Sequence, residues 1–186
     1  YLYKIYLGMT LVQFVILLIT GMNPFDAVCI TFGTAGTGGF AIHNDSCLGY
    51  TLPQQTIIAV FMLLFGINFN VYFLILRKKV KEIFKIEEVK WFLIIVFTAV
   101  AAIVINSGSI NDLYLSIHHA FFSVASVITT TGYGTVDFNL WPMFSKNVLL
   151  IIMFIGACAG STGGGMKVSR ILIYAKTVKK EIVGMI

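Results

Sequence analysis

The chain is 186 residues long, with 58% hydrophobic and 11% charged residues, whereas soluble domains carry about 25% charged residues. This excludes a soluble domain and describes an integral membrane protein. The formal net charge of +5 reads as membrane topology rather than affinity for nucleic acid, because the basic residues fall on one side of an alternating set of spans.

Spans of about 20 residues fit the apolar stretches 5–21, 57–76, 89–106 and 147–165. With these alternating, Lys4, the connector Arg77, Lys78, Lys79, Lys81, Lys85 and Lys90, and the tail Lys167, Arg170, Lys176, Lys179 and Lys180 share one side. Lys146 lies opposite, with Asp26, Asp45, Asp112 and Asp137. The positive-inside rule makes the basic side cytoplasmic.

In the first span, Lys4 can snorkel to the interface. A secretory signal is the rival reading, but no small-x-small cleavage site follows the apolar run. The chain does not open on Met, and it is expected to be an internal piece of a longer protein. Asn23-Pro24-Phe25-Asp26 is a helix start, with Asn as N-cap, Pro at the first helical position and an acid in the first turn. The helix runs to about Gly33, too short to span at about 1.5 Å per residue. Such a half-helix survives at membrane depth only beside protein or water, so a re-entrant pore helix is expected, its carbonyl end aimed at a cation site.

Thr34-Ala35-Gly36-Thr37-Gly38-Gly39-Phe40-Ala41 formally satisfies a dinucleotide fingerprint, but it has no preceding strand, following long helix or later acid. Gly66, Asn68 and Asn70 fall in mid-span, where amides must face protein or a cavity; lining a pore and joining helices are equally good accounts. The connector 77–90, with Glu82, Glu87 and Glu88 interleaved, reads as a solvated amphipathic face. Asn106-Ser107-Gly108-Ser109 and Asn111-Asp112 form an exterior loop. Ser116 is the expected N-cap of a second pore helix over 116–126, with His118 and His119 as interfacial polar residues or, less simply, a proton relay.

Ser126-Val-Ile-Thr-Thr-Thr-Gly-Tyr-Gly-Thr135 then makes poor helix. As an extended strand it would array backbone carbonyls and threonine hydroxyls that replace a cation's hydration shell, as in potassium filters. A shift of 93 positions lays Thr37-Gly38-Gly39-Phe40 on Thr130-Thr131-Gly132-Tyr133, and each copy has an apolar span, a short helix, a Gly/Thr strand and a second span. This is an internal duplication. Beyond the second strand, Asp137 can gather cations and Trp141 anchors at the interface.

Gly156-Ala-Cys-Ala-Gly-Ser-Thr-Gly-Gly-Gly165 cannot continue a helix well. The last span should break there into a bulging loop or hinge beside an aqueous cavity, the alternative being close packing of small residues. Neither a Walker loop nor a nucleophile elbow fits, since Met166 separates Gly165 from Lys167 and Ala159 stands two residues before Ser161. Cys29 and Cys158 read as small buried hydrophobes, and Cys47 has no evident partner.

Thr129-Thr-Thr-Gly-Tyr-Gly-Thr135, Asp137-Phe-Asn-Leu-Trp-Pro142 and Phe154-Ile-Gly-Ala-Cys-Ala-Gly-Ser-Thr-Gly-Gly-Gly-Met-Lys167 resemble the third repeat of the Trk/Ktr/HKT superfamily of potassium transporters, in its TrkH-like branch. Thr37-Gly-Gly-Phe40 resembles the second repeat's filter. The resemblance covers essentially the whole chain. It implies an all-α membrane fold of two tandem helix, pore-helix, helix repeats over 1–80 and 81–186, with re-entrant pore loops and a broken last helix, taken from a four-repeat pore for potassium uptake. It places ion-contacting carbonyls on Gly36, Thr37 and Gly38 and on Thr129, Thr130 and Thr131, and the filter glycines on Gly39 and Gly132. It places an intramembrane gating loop on Gly160, Ser161, Thr162, Gly163, Gly164 and Gly165. It also implies potassium as cargo with no organic cofactor, a homodimer, a cytoplasmic nucleotide-binding RCK-type (TrkA-like) regulatory subunit, and the bacterial inner membrane with filters opening outward. A non-conducting scaffold or sensor is the alternative; an intramembrane hydrolase lacks a serine and histidine pair in matching spans.

Overall fold

The structure, a computed structural model, describes residues 2–83, 86–107 and 112–184. Tyr1, Lys85, and Gly108, Ser109 and Asn111 of the expected exterior loop lie outside them. Among the described residues every regular element is helical, as expected of an apolar chain that must satisfy its backbone within each segment.

Helix α1 (Leu2–Ile19) and residues 87–106 of α6 (Glu87–Ser107) are long and apolar enough to cross a membrane. The 12-residue α2 (Pro24–Ala35) follows α1, and Asn23 caps it as expected, its side chain accepting the Phe25 N–H. Its counterpart α7 (Leu113–Ile128) begins three residues before Ser116, with Asp112 at the N-cap position. Ser116 therefore lies inside the first turn, because apolar Leu113 and Leu115 extend the helix toward its start.

The expected span 57–76 is not one helix. α3 (Leu52–Gly66) and α4 (Phe69–Leu76) meet at a 90° bend. Ile67 is extended at φ −82°, ψ 148°, and Asn68 caps α4 by accepting the Asn70 N–H at 2.9 Å. The mid-span asparagine thus serves a second helix start within the membrane-length segment. A short α5 (Val80–Ile83) precedes α6. Beyond α7, α8 (Met143–Ile155) has 13 residues, about 20 Å of helix against a hydrocarbon core of about 30 Å. The chain then leaves helical geometry until α9 (Val168–Gly184), so the last span breaks where the glycines predict, and the restarted helix carries the basic tail.

Among the described residues two large cores hold the elements, with a smaller cluster of Ala35, Phe61, Phe65 and Phe69 about the α3–α4 bend. Phe92, Val96, Ala99 and Ile103 form one stripe of α6 at helical spacing and pack on Ala120, Val124 and Ile128 of α7 and Leu149 and Ile152 of α8. Leu17 of α1, Ala27 and Ile30 of α2, and Ile58, Ala59 and Met62 of α3 form the other, which also takes Phe122, Ala125 and Tyr133 from the second half. Helix α3 therefore joins the halves through α7. At the bend, Tyr6 of α1 sits edge-on to Phe65 at 5.8 Å and Phe69 at 6.2 Å, a favourable aromatic geometry. Outward faces stay apolar, with Leu11, Ile19, Phe97 and Ile105 all well exposed.

Candidate functional site

The two Gly/Thr segments leave α2 and α7 in the same way. Gly36 and Thr129 end their helices at φ −85° with ψ −1° and −3°. The N–H groups of Gly36, Thr37 and Gly38 donate to the carbonyls of Phe32, Thr34 and Gly33, and those of Thr129, Thr130 and Thr131 donate to Ala125, Val127 and Ser126. Every one of these partners is displaced by 93 positions. The hydroxyls follow suit: Thr37 Oγ1 donates to the Gly36 carbonyl at 2.8 Å and Thr130 Oγ1 to the Thr129 carbonyl at 2.6 Å.

Neither segment is a plain strand, contrary to the expectation. Thr37 and Thr130 lie at φ 50° and 58°, and Gly39 and Gly132 at φ 66° and 91°. In a plain strand successive carbonyls point to opposite sides; left-handed steps at every second residue turn those peptide planes instead. The N–H groups of Thr37, Gly38, Thr130, Thr131 and Gly132 are spent on the helix ends, and the carbonyls of Thr37, Gly38 and Gly39 and of Thr130, Thr131 and Gly132 accept from no donor among the described residues. Unpartnered backbone oxygens are the ligand type from which potassium-channel filters are built.

The segments touch each other. A Cβ built on Gly39 would land on the Thr131 carbonyl oxygen and 2.9 Å from its carbon. Tyr133 is buried and extends its hydroxyl to the carbonyls of Ile30 at 3.3 Å and Phe40 at 3.4 Å. Phe40 is its counterpart 93 positions earlier, and it is 83% exposed. Beyond Tyr133, Gly134 N–H donates to Ser46 Oγ at 3.0 Å, and Cys47 N–H donates to the Gly134 carbonyl at 2.9 Å. His119 Nδ1 lies 3.3 Å from Thr135 Oγ1.

The glycine-rich segment lies against both of these stretches. Gly164 N–H donates to Thr130 Oγ1 at 2.6 Å, Thr37 Oγ1 donates to the Thr162 carbonyl at 3.1 Å, and a Cβ on Gly163 would come within 3.1 Å of the Thr129 carbonyl oxygen. Lys167 Nζ donates to the Gly163 carbonyl. The ends of the segment come together where Gly156, at φ 73°, packs backbone to backbone on Gly165, at φ 79°; a Cβ on Gly156 would meet the Gly165 Cα at 2.7 Å. Glycine here permits close approach, which resolves the sequence alternatives in favour of a closed, bulging loop.

The α3–α4 break is this loop's mate. Helix ends leave carbonyls without intrahelical partners, and those of Phe65 and Gly66 accept the N–H groups of Thr162 at 3.3 Å and Cys158 at 3.0 Å. In return Phe69 N–H donates to the Gly160 carbonyl at 3.0 Å. Asn68 borders Gly160, where a Cβ would sit 3.2 Å from its Oδ1. Asn68 therefore caps α4 beside the loop, and the neighbouring Phe69 N–H makes the bond to it. Two broken helices thus satisfy each other's backbone, the condition for irregular chain at membrane depth. Sequence reading missed this pairing, although Gly66 with Asn68 in an apolar run was a legible signal.

Among the described residues no group of three His, Cys, Asp or Glu side chains is arranged to hold a metal.

Comparison with known proteins follows this geometry. The family model described as "TrkH: Cation transport protein" matches residues 1–185. The Trk system potassium uptake protein TrkH of Escherichia coli K12 is 37% identical over 186 residues, covering 97% of this chain and 38% of that protein. TrkG of the same organism is 35% identical over 172 residues, covering 88% of this chain and 35% of that protein. The crystal structure of the potassium transporter TrkH from Vibrio parahaemolyticus superposes with a TM-score of 0.92 at 34% identity, covering 99% of this chain and 41% of that one. The chain therefore spans about two fifths of the length of the relatives it matches.

Proposed function

The chain belongs to the TrkH family of cation transport proteins, and from that premise we propose that it supplies two of four repeats of a pore for potassium uptake. It is a multi-pass membrane protein. In this reading residues 1–80 and 81–186 are successive repeats. Gly36, Thr37, Gly38 and Gly39 with Thr129, Thr130, Thr131 and Gly132 are the potassium-contacting filter, and 160–165 is the gating loop beneath it.

The observation that carries the proposal is the pair of segments in which three successive N–H groups, of Gly36, Thr37 and Gly38 and of Thr129, Thr130 and Thr131, donate to partners offset by 93 positions, while the carbonyls of Thr37, Gly38 and Gly39 and of Thr130, Thr131 and Gly132 accept from no donor among the described residues. A scaffold needs turns that satisfy both. Two directional contacts support a ring of more repeats than this chain holds. Tyr133 buries itself on the preceding repeat, whereas Phe40 is left exposed. Gly39 backs onto the following repeat, whereas a Cβ on Gly132 would meet nothing within 4 Å. The exposed ends of both contacts are where a first and a fourth repeat would dock.

The basic connector and α9 face the cytoplasm, and the filter opens outward across the bacterial inner membrane. The full-length protein works as a homodimer with a nucleotide-binding RCK-type subunit, as the resemblance implies. The test is complementation of potassium-uptake-deficient cells. The intact gene is expected to restore growth at low potassium, and the fragment 1–186 alone is not. Correctly inserted full-length protein that restores neither growth nor rubidium uptake overturns the proposal.

A further inference from the structure

Glu88 sits half-buried in the first turn of α6, in a charged connector that sequence alone assigns to solvent. Its Oε1 accepts the backbone N–H of Ala159 at 2.6 Å and that of Ser169 at 3.2 Å. Ala159 stands where the 160–165 segment begins, and Ser169 lies in the first turn of α9. One carboxylate oxygen therefore bridges both ends of the loop.

Three backbone bonds that close the loop are neutral and longer than the Ala159 contact, Ala157 N–H to the Gly164 carbonyl at 3.4 Å, Met166 N–H to Phe154 at 3.3 Å and Val168 N–H to Ala157 at 3.2 Å, and within the loop the Lys167 ammonium donates to the Gly163 carbonyl. The bond from Ala159 to Glu88 is short and charge-assisted, the stronger kind. At Ser169 the same carboxylate meets a first-turn N–H that has no intrahelical acceptor, where the helix dipole also favours negative charge. The adjacent Glu87 pairs with Lys176 of α9, so consecutive acids of α6 hold the loop and the helix that follows it.

We propose that Glu88 is the positioning residue that keeps the glycine-rich loop closed beneath the filter, by fastening the loop's two ends to α6. The proposal rests on the transport reading and deepens it: release of this carboxylate is a step in opening, and movement of α9 reaches the loop through it. Glu88 does not touch the filter segments.

The test uses full-length protein in proteoliposomes, with rubidium uptake normalised to folded transporter. Glu88→Ala is expected to raise the maximal rate about tenfold, equivalent to about 1.4 kcal/mol, with the half-saturating rubidium concentration unchanged. Glu88→Gln keeps an acceptor oxygen without the charge and is expected to fall between Glu88→Ala and wild type. Backbone amide exchange over residues 157–169 should accelerate in the same order. A conducting wild type with Glu88→Ala unchanged in rate and exchange overturns the latch, and so does a slower variant with a raised half-saturating concentration. If wild type does not conduct, the transport reading fails, and the order of exchange rates alone decides whether Glu88 holds the loop. If Glu88→Ala does not reach the membrane, Glu88→Gln against wild type carries the comparison with the same signs.

Discussion

Gly39→Ala tests whether the two Gly/Thr segments are walls of one filter. At φ 66° an L-residue costs about 1–2 kcal/mol. The new methyl would also fall on the Thr131 carbonyl oxygen, 2.9 Å from its carbon and 3.3 Å from the Gly132 carbonyl carbon. Ordinary carbon contacts lie at about 3.5–4.0 Å, so the Thr131 carbonyl must retreat by roughly 0.6 Å or more, and no rotamer change relieves a clash with backbone. Overpacking of this kind typically costs about 1–3 kcal/mol, and together the two effects reach about 2–5 kcal/mol. If a third of that sum appears as lost discrimination at about 1.4 kcal/mol per tenfold, potassium preference over sodium falls by about three- to fifteenfold. The assay is rubidium uptake with sodium competition in the full-length protein. Gly134→Ala is the control, since a Cβ there meets nothing within 4 Å and its φ is not positive. Wild-type rate and selectivity in Gly39→Ala would refute the reasoning, because Gly39 and Thr131 would then not face each other across a shared filter.

Gly156→Ala is expected to lower the thermal unfolding midpoint by several degrees, because its Cβ would sit 2.7 Å from both the Gly164 oxygen and the Gly165 Cα at φ 73°; scanning fluorimetry in detergent checks it, and an unchanged midpoint contradicts the closed loop. Cys47 is buried in the loop between α2 and α3, and burial pushes its thiol up to about 12. At pH 8 only about one in 10⁴ of such thiols is the reactive thiolate. External maleimide should label Cys47 slowly until the protein is denatured, and prompt labelling would show that the loop over Gly134 is open.

What was legible in the chain follows from how local each cause is. Asn23-Pro24-Phe25-Asp26 announces a helix start because cap, proline and acid act within one turn, and the structure has that start. The 93-residue offset was legible because glycine and threonine at matching positions meet the same backbone demands, down to the left-handed Thr37 and Thr130. The α3–α4 bend was not read, although Gly66 and Asn68 stood in view, because an apolar run of about 20 residues is ordinarily one span and the partner that makes a break tolerable is Cys158–Thr162, some 90 positions away. Glu88 was hidden for the same reason: among lysines and glutamates a solvated face is the expected reading, and only the fold brings Ala159 and Ser169 to it. Ser116 misled because serine is a good N-cap in isolation, while the apolar residues before it extend α7.

The paired breaks constrain how the pore opens in the transport reading. The loop exchanges three backbone bonds with α3 and α4, through Phe65, Gly66 and Phe69, and two more contacts tie it to Thr37 and Thr130. At a net of about 0.5–1.5 kcal/mol each, swinging the loop out alone would break contacts worth several kcal/mol and leave two helix-end carbonyls bare at membrane depth. That cost exceeds the coupling of about 1–3 kcal/mol that an effector usually supplies. Opening is therefore less costly if the α3–α4 junction travels with the loop, keeping the bonds to Phe65, Gly66 and Phe69 and breaking those to Thr37, Thr130 and Glu88. In that arrangement the α3–α4 bend is a moving part of the gate.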